Sequence, residues 1–204
     1  MSLPARSPAG SLLEDMETQR KIPIHGLDES RLGAWLAERG QPAYRGAQIL
    51  DWLFAKRVTS FDRMPNLPGA LRSALEREFT PEPPSTVRVL GAADTTRKFL
   101  FRLRDGQLVE AVLIPASPGL RGERGERMTL CVSSQVGCAY GCRFCASGLD
   151  GWTRDLEAGE IVGQLLEVER QSGARVDNVV FMGMGEPLAR SEERRVGKEC
   201  PSPC

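Results

Sequence analysis

Three cysteines, Cys138, Cys142 and Cys145, stand at Cys-x3-Cys-x2-Cys spacing inside QVGCAYGCRFCASG, and no other feature restricts the chain as tightly. Thiolates at that spacing, on one glycine-rich loop, suit three irons of a cubane cluster and leave the fourth iron open. An open iron is a place for a small molecule to bind and react. A structural zinc site uses four protein ligands, usually as two separated pairs. The next cysteines downstream, Cys200 and Cys204, lie in a tail of different character. A zinc knuckle or three unrelated buried thiols are the alternatives to a cluster.

Phe144 precedes the last cysteine of the triplet. Cys-x3-Cys-x-aromatic-Cys resembles the signature of radical S-adenosylmethionine (SAM) enzymes. The resemblance implies a [4Fe-4S] cluster on Cys138, Cys142 and Cys145, with SAM chelated at the open iron through its amino and carboxylate groups. In that superfamily one electron from the cluster cleaves the sulfonium to a 5′-deoxyadenosyl radical. The protein's share is orientation and the exclusion of water.

At 204 residues the chain has room for one or two domains and a real core. Its 27 basic and 27 acidic residues cancel, so composition gives no support to nucleic-acid binding and leaves only a local basic groove open. The leader MSLPARSPAGSLLEDMETQR has no long apolar core and does not read as a signal peptide. No stretch is apolar enough to span a bilayer. Six cysteines without an export signal point to a reducing, cytoplasmic setting in which thiols serve metals or catalysis.

The expected organisation is a flexible leader over 1–20, a small helical domain over 21–84, the start of a barrel domain over 85–189 and a non-native tail over 190–204. Asp28 caps an expected helix carrying Leu32, Trp35 and Leu36, with Gly40 as its stop. A second helix is expected over 46–56 and a third over 68–79, the latter with proline at its start. Pro81-Glu82-Pro83-Pro84 reads as a linker. Residues 86–90, 98–103 and 108–114 then read as strands, with Asp105-Gly106 as a hairpin turn. Residues 117–127, including RGERGER, read as an exposed loop. Residues 129–133 form a strand feeding the cysteine loop, 158–171 a helix, and 178–181 a buried strand. Strand, cysteine loop, helix and strand make a βαβ unit, the first step of a parallel α/β barrel of the TIM type. The expected class is therefore α/β, with a helical domain, a β-hairpin and an incomplete barrel.

Gly183-Met184-Gly185-Glu186-Pro187 follows at a strand end, where barrel enzymes carry their sites. The superfamily carries a Gly-Glu-Pro motif in that place. Gly185 lets backbone approach a ligand closely, and Glu186 offers a carboxylate for the ammonium of SAM's methionine part. Without the cysteine triplet the same residues would read as an ordinary loop.

The block MTLCVSSQVGCAYGCRFCASG, with VEAVLIP before it and NVVFMGMGEPL after it, resembles the RlmN-type RNA adenine methyltransferases. So does KIPIHGLDESRLGAWLAERGQPAYRGAQILDWL, which is similar to that family's N-terminal domain. The resemblance runs from about Ile22 to Ala189. It implies methylation at carbon 2 of an adenosine in 23S ribosomal RNA and in transfer RNAs. Because carbon 2 is not nucleophilic, the family uses a radical route through a methyl group carried on a cysteine near the C-terminus. Cys131 matches the second, resolving cysteine, which attacks the first and frees the product. On its own Cys131 would read as a small buried thiol. Glu110 matches the family's proton acceptor, where the residue alone would read as an exposed strand carboxylate. The implied partners are the two RNAs, whose unpaired adenosines suit a pocket, and a flavodoxin-type electron donor. A related type methylates carbon 8, and a non-enzymatic metal- or RNA-binding module is the reading from a different class.

The resemblance stops at Ala189. The run from Arg190 to Cys200 reads as translated sequencing-adapter DNA, so Cys200 and Cys204 are not assigned the methyl-carrying role. A chain ending there is expected to lack most of the barrel, to aggregate or fold only in its N-terminal part, and not to methylate RNA by itself.

Overall fold

The computed structural model describes residues 21–92, 95–116 and 127–189, in two compact units divided between Pro83 and Pro84. The leader, the RGERGER run up to Glu126 and the tail with Cys200 and Cys204 lie outside the described residues.

The first unit is a small helical body. Strand β1 (Ile22–Pro23) pairs in parallel with β2 (Phe79–Thr80), joining the two ends of the unit. Helix α1 (Glu29–Ala37) starts at Asp28, whose carboxylate accepts the Arg31 N–H at 2.7 Å. Gly40, at φ 62°, closes the turn beyond it. Helix α2 (Tyr44–Leu50) begins two residues before the expected start and does not run on as an α-helix to Lys56. It widens into a π-helical turn over Asp51–Ala55, closed by the Lys56 N–H on the Asp51 carbonyl at 3.0 Å. The wider turn leaves Ile49 and Leu53 both fully buried. Helix α3 (Gly69–Glu78) follows Pro68, which stands just outside it at the N-cap. Leu36, Ile49, Leu53, Met64 and Leu75 form the centre of the core. Trp35 edges it, donating to Glu78 at 2.9 Å beneath the Arg39 guanidinium.

The second unit is built on a five-stranded sheet in the order β3-β4-β5-β6-β9. Strands β3 (Ser85–Leu90), β4 (Arg97–Arg102), β5 (Leu108–Pro115) and β6 (Met128–Cys131) are antiparallel to their neighbours. The β4–β5 turn uses Asp105-Gly106, with Gly106 at φ 85° and its N–H on the Leu103 carbonyl. A separate hairpin follows, β7 (Gln135–Gly137) and β8 (Trp152–Asp155). Helix α4 (Ala158–Ser172) and β9 (Asn178–Val180) complete the unit, and β9 lies parallel to β6. The β6–α4–β9 connection is the βαβ step of a partial barrel.

Alternate residues of the sheet face α4. Phe99, Phe101, Val109, Ala111, Leu113 and Leu130 form a core with Val168 and Leu156. Two expectations need correction. The strand expected over 129–133 ends at Cys131, because beyond it the regular ladder gives way to single backbone bonds with the segment after β9 and to the Gln164 side chain at Ser133. The strand over 178–181 is not buried: Val179 is 42% and Phe181 46% exposed. Strand β9 is the edge of the sheet among the described residues, so nothing described covers its far side. No helix among those residues is long and apolar enough to cross a membrane.

Candidate active site at the strand ends

The cysteine loop closes the β7–β8 hairpin. Its neck is the Cys138 N–H on the Gly151 carbonyl at 3.1 Å. Gly137 sits at φ 73°, and a Cβ there would lie 1.9 Å from the Gly151 oxygen, so the neck closes only around glycine. Cys142 is exposed, while Cys138 and Cys145 are partly covered. The Tyr140 N–H points at the Cys138 sulfur at 3.4 Å. The Ser147 N–H, then its hydroxyl, holds the Cys145 thiol below its ordinary pKa. Donors aimed at sulfur favour thiolate and therefore ligation.

Among the described residues no three His, Cys, Asp or Glu side chains converge tightly enough to hold one metal ion. A cubane asks for a different arrangement, because its irons occupy separate corners and its ligand sulfurs stand apart. Three thiols on one accessible loop, two of them with N–H donors on sulfur, fit a cluster by donor chemistry.

Beyond β6 the chain runs beside the segment after β9. The Val132 N–H meets the Val180 carbonyl at 2.9 Å, the Gly183 N–H meets the Val132 carbonyl at 3.1 Å, and the Ser134 N–H meets the Met184 carbonyl at 2.8 Å. This brings the Gly-Glu-Pro turn beside the root of the cysteine loop. Gly185, at φ 101°, packs on Gln135: a Cβ there would lie 2.6 Å from that of Gln135. The Glu186 N–H donates to Gln135 Oε1 at 2.9 Å, and Glu186 Oε1 accepts the Leu188 N–H at 3.0 Å. Glu186 is thus fixed at both ends while remaining partly exposed.

Cys131 and Glu110 share the sheet face opposite α4. Cys131 is in register with Val112 of β5, and Glu110 lies two residues from Val112 on the same side. Burial pushes the Cys131 thiol up, partly opposed by the Met182 N–H. Glu110 is half-exposed and ion-paired with Lys98 at 2.7 Å. It lines a cleft of about 520 Å³ together with Val136, Ser147 and Met184. The cleft therefore touches β5, the cysteine loop and the turn after β9.

Sequence reasoning missed the polar frame behind these residues. Ser133 Oγ donates to the Glu110 carbonyl at 2.6 Å and accepts the Met184 N–H at 2.9 Å. Gln164, fully buried, holds both sides of the Ser133 peptide. Arg154 forks onto Glu160 with two 2.8 Å bonds and reaches Asp105 at 2.8 Å, pinning β8 to the start of α4 and the hairpin turn. The available signal was Ser133-Ser134-Gln135, three polar residues directly after an apolar strand.

The fold agrees with a solved one. A radical SAM methyltransferase from Sphaerobacter thermophilus matches 85% of this chain and 50% of its own at TM-score 0.73 and 39% identity. The likeness to that radical SAM methyltransferase therefore extends over both the sequence and the fold of most of this chain. Residues 22–80 match the family model described as "Ribosomal RNA large subunit methyltransferase N-terminal domain". The "Probable dual-specificity RNA methyltransferase RlmN" of Akkermansia muciniphila is 56% identical over 166 residues, 81% of this chain and 46% of that protein. The "Dual-specificity RNA methyltransferase RlmN" of Sulfurovum sp. is 44% identical over 185 residues, covering 87% and 50%. Over the matched residues the chain is similar to these RlmN proteins, and it spans about half the length of the curated relatives it matches.

Proposed function

We propose that this chain carries the cluster-binding and Gly-Glu-Pro portion of a cytoplasmic radical SAM enzyme. Its reaction is methylation of carbon 2 of an adenosine in 23S ribosomal RNA and in transfer RNA. The observation that supports this best is the shared sheet face of Cys131 and Glu110, beside a cleft reached by both the cysteine loop and the turn bearing Glu186.

Cys138, Cys142 and Cys145 would hold a [4Fe-4S] cluster, and Gly185 with Glu186 would seat SAM by its ammonium group. When bound, the cluster supplies the single electron that cleaves SAM, delivered in turn by a flavodoxin-type donor. Glu110, kept on the cleft face by β5, is positioned to accept a proton, with Lys98 balancing its charge. Cys131 waits as a covered thiol at the end of β6, and it must become thiolate to act as the resolving nucleophile. The Ser133 frame keeps the Glu110 backbone and the Met184 turn in register.

Two measurements test the proposal. Anaerobic reconstitution of the chain with iron and sulfide should give an oxygen-sensitive brown cluster, absent in Cys142→Ala; colourless stoichiometric zinc would overturn it. Residues 1–189 joined to the part of the Akkermansia muciniphila protein that they do not cover should methylate RNA. Mass spectrometry should locate the methyl on carbon 2, and a methyl on carbon 8 would replace the assignment.

A further inference from the structure

We infer that Gln135 is a positioning residue that couples the cysteine loop to the Gly-Glu-Pro turn, so that a ligand seated at Glu186 is registered against the cluster. The inference rests on the radical SAM reading and adds to it a residue that touches neither cluster nor ligand.

Gln135 is 1% exposed and lies in β7, directly before the loop. Its Oε1 accepts two backbone N–H groups, Glu186 at 2.9 Å and Ala139 at 3.2 Å. Ala139 follows the ligand Cys138. One oxygen atom thus spans the turn that would hold SAM and the loop that would hold iron. The amide nitrogen donates to Asp155 Oδ1 at 2.8 Å on β8, which fixes the direction of the oxygen. The Gln135 N–H also meets the Met184 carbonyl at 3.2 Å.

The chemistry selects this side chain. The position needs an acceptor toward two N–H groups and a donor toward a carboxylate, at the reach of three side-chain carbons. Lysine and arginine bring no acceptor, and an apolar residue brings neither function. A glutamate accepts but sets a second carboxylate against Asp155. Gly185 completes the fit, because only a residue without Cβ clears the Gln135 stem. A shift of the Glu186 backbone toward a ligand is therefore felt at Ala139 through a single shared atom, provided both bonds persist.

The test uses residues 1–189 joined to the part of the Akkermansia muciniphila protein that they do not cover, reconstituted anaerobically, with the natural residue, Gln135→Met or Gln135→Glu. Iron and sulfide content are measured with SAM affinity, read from the change in the electron paramagnetic resonance spectrum of the reduced cluster. The expected result is unchanged iron in all three, SAM affinity lowered about tenfold or more in Gln135→Met, and a smaller loss in Gln135→Glu, which keeps the acceptor but sets its carboxylate against Asp155. SAM affinity in Gln135→Met within about twofold of wild type overturns the inference, as does an equal loss in both variants, which would assign the effect to the Asp155 bond. If Gln135→Met does not fold, wild-type amide exchange decides. SAM should slow both the Glu186 and Ala139 amides, and slowing at Glu186 alone overturns the coupling. A wild type that takes up no cluster, or whose cluster spectrum ignores SAM, refutes the radical SAM reading itself, an outcome distinct from the others.

Discussion

The side-chain amide of Gln164 closes on the peptide of Ser133, its oxygen accepting the Ser133 N–H and its nitrogen donating to the Ser133 carbonyl, both at 3.0 Å. A helix side chain here does the work of a neighbouring strand. Cys131 ends regular pairing on β6, yet two residues later the backbone is fully satisfied inside the protein. That closure lets the chain turn from the sheet into the cysteine loop without a buried, unpaired peptide.

Gln164→Leu keeps the volume and removes both bonds, stranding one buried N–H and one buried carbonyl. Each such group costs about 1–3 kcal/mol, so the second unit should lose about 2–6 kcal/mol of stability. Urea unfolding followed by near-ultraviolet signals measures it. A midpoint unchanged from wild type would show that water replaces the amide.

His25 carries a pH signature in the first unit. It is 5% exposed, its Nδ1 has no hydrogen-bond partner, and it meets the edge of Phe54. Burial lowers its pKa from 6.5 to about 4. The folded state therefore binds fewer protons than the unfolded state between those values. The stability is fully present above pH 6.5 and declines as pH falls toward about 4, by about 3 kcal/mol at most. His25→Phe should flatten this part of the stability–pH curve. Equal slopes in the two proteins would place the acid sensitivity elsewhere.

What the sequence disclosed follows from the range of the forces involved. Asp28 caps its helix and Asp105-Gly106 turns its hairpin because both act within three or four residues. The π-turn at Asp51–Ala55 was not legible, since no residue within it marks a widened turn. Nor was the β7–β8 pairing, whose strands of three and four residues are separated by the whole cysteine loop. The cysteine triplet stood out by spacing alone. That Cys131 and Glu110 share a face depended on the β5–β6 register, which no periodicity within either strand reports. The exposure of Val179 and Phe181 shows the limit of reading an apolar run as buried, because burial also requires a neighbour to cover it.

The neck of the cysteine loop offers a sharp contrast between two glycines. Gly137→Ala drives a methyl group into the Gly151 carbonyl from a left-handed backbone, which by itself disfavours a side chain by about 1–2 kcal/mol. Gly141→Ala meets nothing within 4 Å. Iron uptake on reconstitution should fall by about half or more in the first variant and stay near wild type in the second, if neck closure is what presents the sulfurs. Equal uptake would mean that the cluster organises the loop regardless of its neck.

Thiol reactivity distinguishes Cys131 from the loop cysteines before any metal is added. Cys131 is 8% exposed, lies between β5 and β9, and has its pKa raised by burial, so little of it is thiolate near neutral pH. Cys142 is exposed on the loop. Alkylation follows thiolate fraction and access together. In reduced, metal-free protein at neutral pH, iodoacetamide should label Cys142 about tenfold or more faster than Cys131, as read by peptide mass spectrometry over a time course. Raising the pH should accelerate Cys131, because its thiolate population grows, while the cover above it holds the rate below that of Cys142. Adding about 6 M urea should bring the two rates together by removing both burial and its effect on the pKa. If Cys131 reacts as fast as Cys142 in the folded protein, the end of β6 opens readily and its thiol is not held in reserve.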